Sequence, residues 1–191
     1  ASSNAAPVEE TEGAKLRQLF HDSDEASLQR NPINALYRGD LRYAAHLGNY
    51  LTDAYTAAEK AAAQKDLAML SKIDRAKLGS VDQIAYDVFR NQTETALRGF
   101  DPAIVHLQRL LPLDHFTGFQ TFYPDMASGQ GAAPFRTLAD YENNLARNGE
   151  YAEVLDRAIG LFREGMREKV VLPRLVVTNM IGQFDNLIAQ G

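Results

Sequence analysis

Four histidines are the residues most able to carry metal or acid–base chemistry here: His21, His46, His106 and His115. A zinc-peptidase helix needs two imidazoles at i and i+4, so that both reach one ion. No pair has that spacing, and Pro112 separates His106 from His115, so one helix does not present both. Each histidine is therefore expected in a hydrogen-bonded or surface role. Glu164 and Glu168 share a helix face, but Arg163, Arg167 and Lys169 surround them, which is the pattern of a solvated, ion-paired surface. Asp22, Asp24 and Glu25 lack the alternating spacing and the turn glycine of a calcium loop. Gly129-Gln130-Gly131 is a turn signal without the rest of a phosphate-binding fingerprint. Arg38-Gly39-Asp40 and the sequon Asn91-Gln92-Thr93 are short enough to arise by chance, the latter as a solvent-facing patch on a helix.

The stretch from 112 to 136 is the most informative local feature. It reads as a non-helical connection, with three prolines and three glycines beside Phe116, Phe119, Phe122, Tyr123 and Phe135. Connections this long without structure of their own are usually functional or disordered, and exposing so many aromatics makes disorder costly. Two readings stand. The aromatics plug gaps in a helical core, or His115, Phe116, Phe119, Phe122 and Tyr123 line a ligand or interface surface.

The elements that must position these residues are helical. Glu12 to Arg30 forms a helix ended by Asn31-Pro32, because a residue before proline avoids the helical region. Residues 33 to 51 read as loop with short helical turns, and Thr52 to Ile73 as a long alanine-rich helix. Ser80-Val81-Asp82-Gln83 has the form of a capping box, opening a helix that Gly99 closes. Asp101-Pro102 starts a short helix with an aspartate cap and a first-position proline. Thr137 with Asp140 restarts helix, with a break expected at Asn148-Gly149, another helix from Glu150 to Val170, and a last one after Pro173. No alternating strand pattern lasts six residues. The expected fold is all-α: an irregular bundle of about six principal helices with a long aromatic-rich loop. Residues 1–11, small, polar and proline-containing, read as a flexible spacer before a helical domain over 12–191.

Composition narrows the function. The chain has 191 residues, a net charge of -5 and no cysteine. Zero cysteines exclude disulfides, thiolate catalysis and Cys-type metal sites. An acidic balance without a Lys/Arg cluster speaks against nucleic-acid partners. No apolar run approaches the ~20 residues of a membrane span, and residues 1–10 have neither basic nor hydrophobic signal-peptide regions.

In order and spacing, several segments resemble the bacterial domain of unknown function 885 family. They are Arg30-Asn31-Pro32, Gly39 to Gly48 (GDLRYAAHLG), Asp74 to Leu78, Asp82 to Phe89 and the aromatic stretch after Leu111-Pro112. Asp140-Tyr141-Glu142, Leu145 to Arg147 and Gly165 to Pro173 (GMREKVVLP) complete the series. The resemblance spans Leu16 to Leu187. It implies a helical, exported bacterial protein or lipoprotein, periplasmic or associated with the cell envelope. It also implies a later half carrying a zinc-peptidase-like His-Glu-x-x-Pro-Gly-His helix, with peptides as the substrate class. This chain holds no His-Glu pair, so no catalytic residue and no metal ligand carries over. The expectation is an N-terminal helical part that is silent by itself and holds no cofactor, zinc belonging to the full-length protein. Its partner would be the C-terminal half of the same protein or a second copy of the chain. The competing expectation is a self-sufficient helical ligand- or protein-binding module.

Overall fold

The computed structural model describes residues 11–190; the expected spacer lies outside the described residues but for Thr11. Among the described residues there are eight α-helices and no strand. They are α1 (Glu12–Arg30), α2 (Pro32–Tyr37), α3 (Asp53–Leu70), α4 (Ser80–Gly99), α5 (Pro102–Leu110), α6 (Phe119–Ala127), α7 (Leu138–Glu168) and α8 (Arg174–Gln190). A single 3-10 turn, Arg75–Lys77, precedes α4. The all-α expectation holds, and no helix is long and apolar enough to cross a membrane.

The chain divides into two compact units. Among the described residues, one comprises 11–26 with Glu59–Phe100; the other comprises Ser27–Ala58 with 101–190. In the first unit, Leu16 and Leu19 of α1, Leu70 of α3 and Tyr86 of α4 form one buried cluster with Ile73 and Leu78. Phe20 and Phe89 close its edge, ring to ring at 4.9 Å. Its charges stay at the surface, as in Arg17–Asp82 and Arg75–Asp87. Thr93 is the buried polar side chain of α4, and it donates to the Phe89 carbonyl one turn back. Thr93 is thus turned inward, not outward as the sequon reading expects.

The second unit carries two apolar clusters. Ile33, Leu36, Ala44, Leu47, Tyr123, Met126, Ala133 and Val154 form the larger. Leu113, Ala158 and Met180 form the smaller, with Phe162 and Phe184 packed beside them.

Three further local expectations change. Gly79, not Ser80, caps α4, without a side-chain cap bond, and Gln83 donates to the Leu78 carbonyl at 3.0 Å. No break occurs at Asn148-Gly149, and α7 runs through for 31 residues. A mid-helix glycine costs only ~1 kcal/mol against alanine, and the contacts of the flanking residues outweigh that. Tyr123 donates to Asn148 Oδ1 at 2.7 Å, and Glu150 binds two backbone N–H groups. Finally, the stretch expected to be non-helical contains α6, with Pro124 inside it. Proline removes one helical hydrogen bond, at a cost of ~3 kcal/mol. Burial of Tyr123 and Met126 on the same helix offsets that loss. The Asp101 cap and the Thr137–Asp140 capping box form as expected.

Candidate functional site

The polar chemistry of the second unit is concentrated along α7. Asn144, Arg147, Glu150 and Arg157 recur near helical spacing, and three of these side chains grip the segment from Ala44 to Tyr50. Arg147 Nη1 donates to the Ala44 carbonyl. Glu150 Oε2 accepts from the N–H groups of Leu47 at 2.6 Å and Gly48 at 3.2 Å, while Oε1 meets His46 Nδ1 at 2.9 Å. Arg157 Nη1 donates to the Tyr50 carbonyl at 2.9 Å. The gripped segment begins in the C-terminal half of GDLRYAAHLG and runs two residues past it. It needs external partners because its backbone is irregular: Gly48 has φ +119 and Leu51 φ +62, so no regular ladder satisfies it.

The charges in this grip have distinct environments. Burial pushes the Glu150 carboxyl up, but the His46 contact and the two N–H donors more than offset it, leaving the carboxyl below its ordinary value. Burial pulls the Arg147 guanidinium below its ordinary value, with neighbouring Tyr123 and Asp140 opposing. Burial also pushes the Tyr123 phenol up to about 12, although the adjacent guanidinium pulls it back, so it is neutral at physiological pH. Arg147 is only 2% exposed, yet none of its hydrogen bonds goes to a carboxylate. Nη2 reaches Asn144 Oδ1 at 3.3 Å, and Nε has no partner among the described residues. Buried arginines are ordinarily paired with an anion.

Two cavities flank this grip. One, of ≈ 690 Å³, lies among Leu36, Leu41, Ala133, Pro134, Asp140 and Arg147. The other, of ≈ 470 Å³, is lined by Tyr43, His46, Tyr55, Glu150 and Arg157 among others.

The aromatic residues singled out in the sequence divide into two groups. Tyr123 is 1% exposed, stacked on Tyr151 with ring centroids 4.3 Å apart. Phe119 and Phe122 sit 5.5 Å apart, packed against the same apolar cluster, and Phe119 also meets Tyr50 at 5.2 Å. These three ride on α6. His115 and Phe116 form a separate pair at 3.9 Å in the turn before it, with Phe116 exposed. That turn is held by Asp114, which accepts from the N–H groups of Phe116 and Thr117, and by Gln183 of α8, which donates to the His115 carbonyl.

The donor set does not suit zinc. His46 faces Glu150, His106 faces Glu168 at 2.7 Å, and His115 stacks on Phe116. Among the described residues no three His, Cys, Asp or Glu side chains converge as metal ligands. Glu164 and Glu168 pair with Arg109 and His106 of α5, which ties α5 to α7.

Arg147 and Glu150 did not stand out in the sequence as site residues. Their partners lie about a hundred positions away in the chain, and a local pattern carries no trace of such contacts. The available signal was the spacing of Arg147, Glu150 and Arg157 on one helix face. No curated protein and no solved structure matches the chain. A family match covers residues 32–191, taking in the gripped segment, α7 and the larger cavity. The chain belongs to the family described as bacterial protein of unknown function (DUF885).

Proposed function

We propose that this chain is a non-catalytic helical part of an exported bacterial protein, shaping a substrate cleft that a further, C-terminal half completes. The observation that carries the reading is a set of apolar stripes left facing solvent. On α7, Leu138, Tyr141 and Leu145 recur at i, i+3 and i+7, and Leu145 is 73% exposed. On α4, Val81, Ile84 and Val88 have the same spacing, and α8 presents Val177, Ile181 and Ile188. Scattered apolar residues on a surface are ordinary, but helical stripes of them mark faces that bury against something. A self-sufficient binding module would turn such stripes inward.

The zinc-peptidase-like chemistry suggested by the family resemblance would belong to the completing half, with peptides as its substrates. This chain would contribute walls and anchoring contacts. Sedimentation velocity over a concentration series tests the reading. The native chain is expected to self-associate through its stripes, and a Leu138→Glu, Leu145→Glu variant to associate less. A native chain that stays monomeric throughout the series contradicts the proposal.

A further inference from the structure

The turn from α7 to α8 carries more positive charge than its surroundings neutralise. Arg163, Arg167, Lys169 and Arg174 are all exposed there. The sequence predicts an ion-paired face, with Glu164 and Glu168 as the counter-charges of α7's own basic residues. Both glutamates turn to α5 instead, Glu164 to Arg109 at 2.6 Å and Glu168 to His106 at 2.7 Å. Glu164 is still within electrostatic reach of Arg167, without a hydrogen bond between them. Among the described residues, none of the four cationic side chains makes a hydrogen bond or an ion pair.

The same turn brings apolar side chains out beside these charges. The Val170 N–H donates to the Gly165 carbonyl at 2.9 Å, and a Cβ on residue 165 would lie 2.6 Å from the Val170 carbonyl oxygen, so the tight reversal needs glycine. Lys169 ends α7 in the left-handed region, with φ +63. Leu172 and Val176 then pack inward beside Leu113, Ala158 and Met180. Val171 and Leu175 are left outside, 62% and 70% exposed, and Met166 is 68% exposed between Arg163 and Arg167.

The other exposed stripes lie among acids. Val81, Ile84 and Val88 alternate with Asp82 and Asp87, and Leu138 and Tyr141 with Asp140 and Glu142. Charged residues, lysine above all, are depleted at the centre of protein interfaces, where they would lose their water. At an anionic bilayer the cations stay hydrated among the headgroups, while apolar side chains reach the acyl boundary. Leu175 also lies roughly 120–160° round α8 from Val177, Ile181 and Ile188 by helical spacing, so this corner is separate from the α8 stripe assigned to a completing half.

We propose that the α7–α8 turn is a contact site for an anionic lipid surface, its four cations at the headgroups and Met166, Val171 and Leu175 dipping between them. The net charge of -5 opposes the contact at long range, so binding is short-range and weakened by salt. The corner lies within the second unit and needs no completing half to act.

Co-sedimentation of the full chain with vesicles tests this at low ionic strength. One vesicle is phosphatidylcholine alone, the other equal parts of phosphatidylcholine and phosphatidylglycerol. Binding is expected to the second only, and to fall as salt is added. Each exposed cation at such a surface is worth about a factor of five, so Arg167→Gln with Arg174→Gln should weaken binding about twentyfold. Lys60→Gln with Lys65→Gln, exposed on α3, alters the net charge equally and should leave binding almost unchanged. Met166→Ser with Leu175→Ser keeps every charge and should weaken binding several-fold. Circular dichroism checks that each variant keeps its helices. No binding to the anionic vesicles, equal binding to both kinds, equal loss in the two charge variants, or unchanged binding in either variant of the turn overturns the proposal. Binding to soluble polyglutamate without binding to vesicles also overturns it, and assigns the corner to an acidic protein partner.

Discussion

The two units of this chain solve burial in opposite ways. In the first, leucines of α1 and α3 close on Tyr86 of α4 with Ile73 and Leu78, and the ion pairs stay at the surface. In the second, Asn31, Gln120, Asn144 and Arg147 are buried beside the apolar clusters, and two cavities open against the same helix. Buried polar groups cost free energy unless they are partnered, so a fold that keeps them gains specificity of geometry or a site. The contrast marks the first unit as scaffold and the second as the part built to hold an irregular segment, Ala44 to Tyr50, in one conformation.

Substitutions can break or sharpen that contrast, and they rank by the mechanism each one touches. Leu70→Ala should be the most damaging, lowering unfolding free energy by ~3 kcal/mol through loss of apolar contact and the cavity left behind. Urea denaturation followed by helical circular dichroism measures it. Arg147→Ala should cost about 2 kcal/mol, which is less than the volume removed suggests. The Ala44 carbonyl loses its donor, but the burial cost of the guanidinium charge is also relieved. A neutral result would show that the grip on Ala44 does not hold the segment. Gly48→Ala comes next, at about 1–2 kcal/mol. Its φ of +119 disfavours a side chain, and a Cβ there would lie 2.7 Å from Tyr50 Cε2.

Glu150→Gln should cost about 1 kcal/mol at neutral pH, a figure already reduced for the partial exposure of the carboxylate. Its pH dependence has a definite sign. The folded carboxyl sits below its ordinary value of 4.5, so the stabilisation is present above that pH and is lost as pH falls through the folded value. Native and variant urea midpoints should therefore converge in acid. A gap that persists well below pH 4.5 would assign the effect to packing instead. At the small end, Arg75→Ala removes an exposed ion pair with Asp87 and should leave the unfolding midpoint where it is. A clear loss there would mean that the first unit too depends on its charges.

Local chemistry was legible in the sequence where a few neighbouring residues decide the outcome. The Asp101 cap, the Thr137–Asp140 box and the bounds of α1 depend on side chains within a turn of one another. The failures share the opposite cause. Gly149 and Pro124 are helix breakers by propensity, and both lie inside helices because distant partners hold the flanking residues. Ser80 has the residues of a capping box, but Gly79 takes the cap position, so a motif one residue out of register misassigned the start. For the aromatic stretch, burial of Tyr123 and the packing of Phe119 and Phe122 accord with the core-filling reading of those three, while Phe116 remains at the surface. The grip by Arg147 and Glu150 was invisible because it joins segments about a hundred residues apart, and no local period encodes such a pair.

The claim that the chain shapes a site without catalysing is tested most directly by incubating the purified protein with zinc and a mixture of peptides, with product formation followed by mass spectrometry. The account predicts no metal-dependent cleavage. Turnover that appears with zinc, disappears on chelation and follows the protein through purification would contradict it.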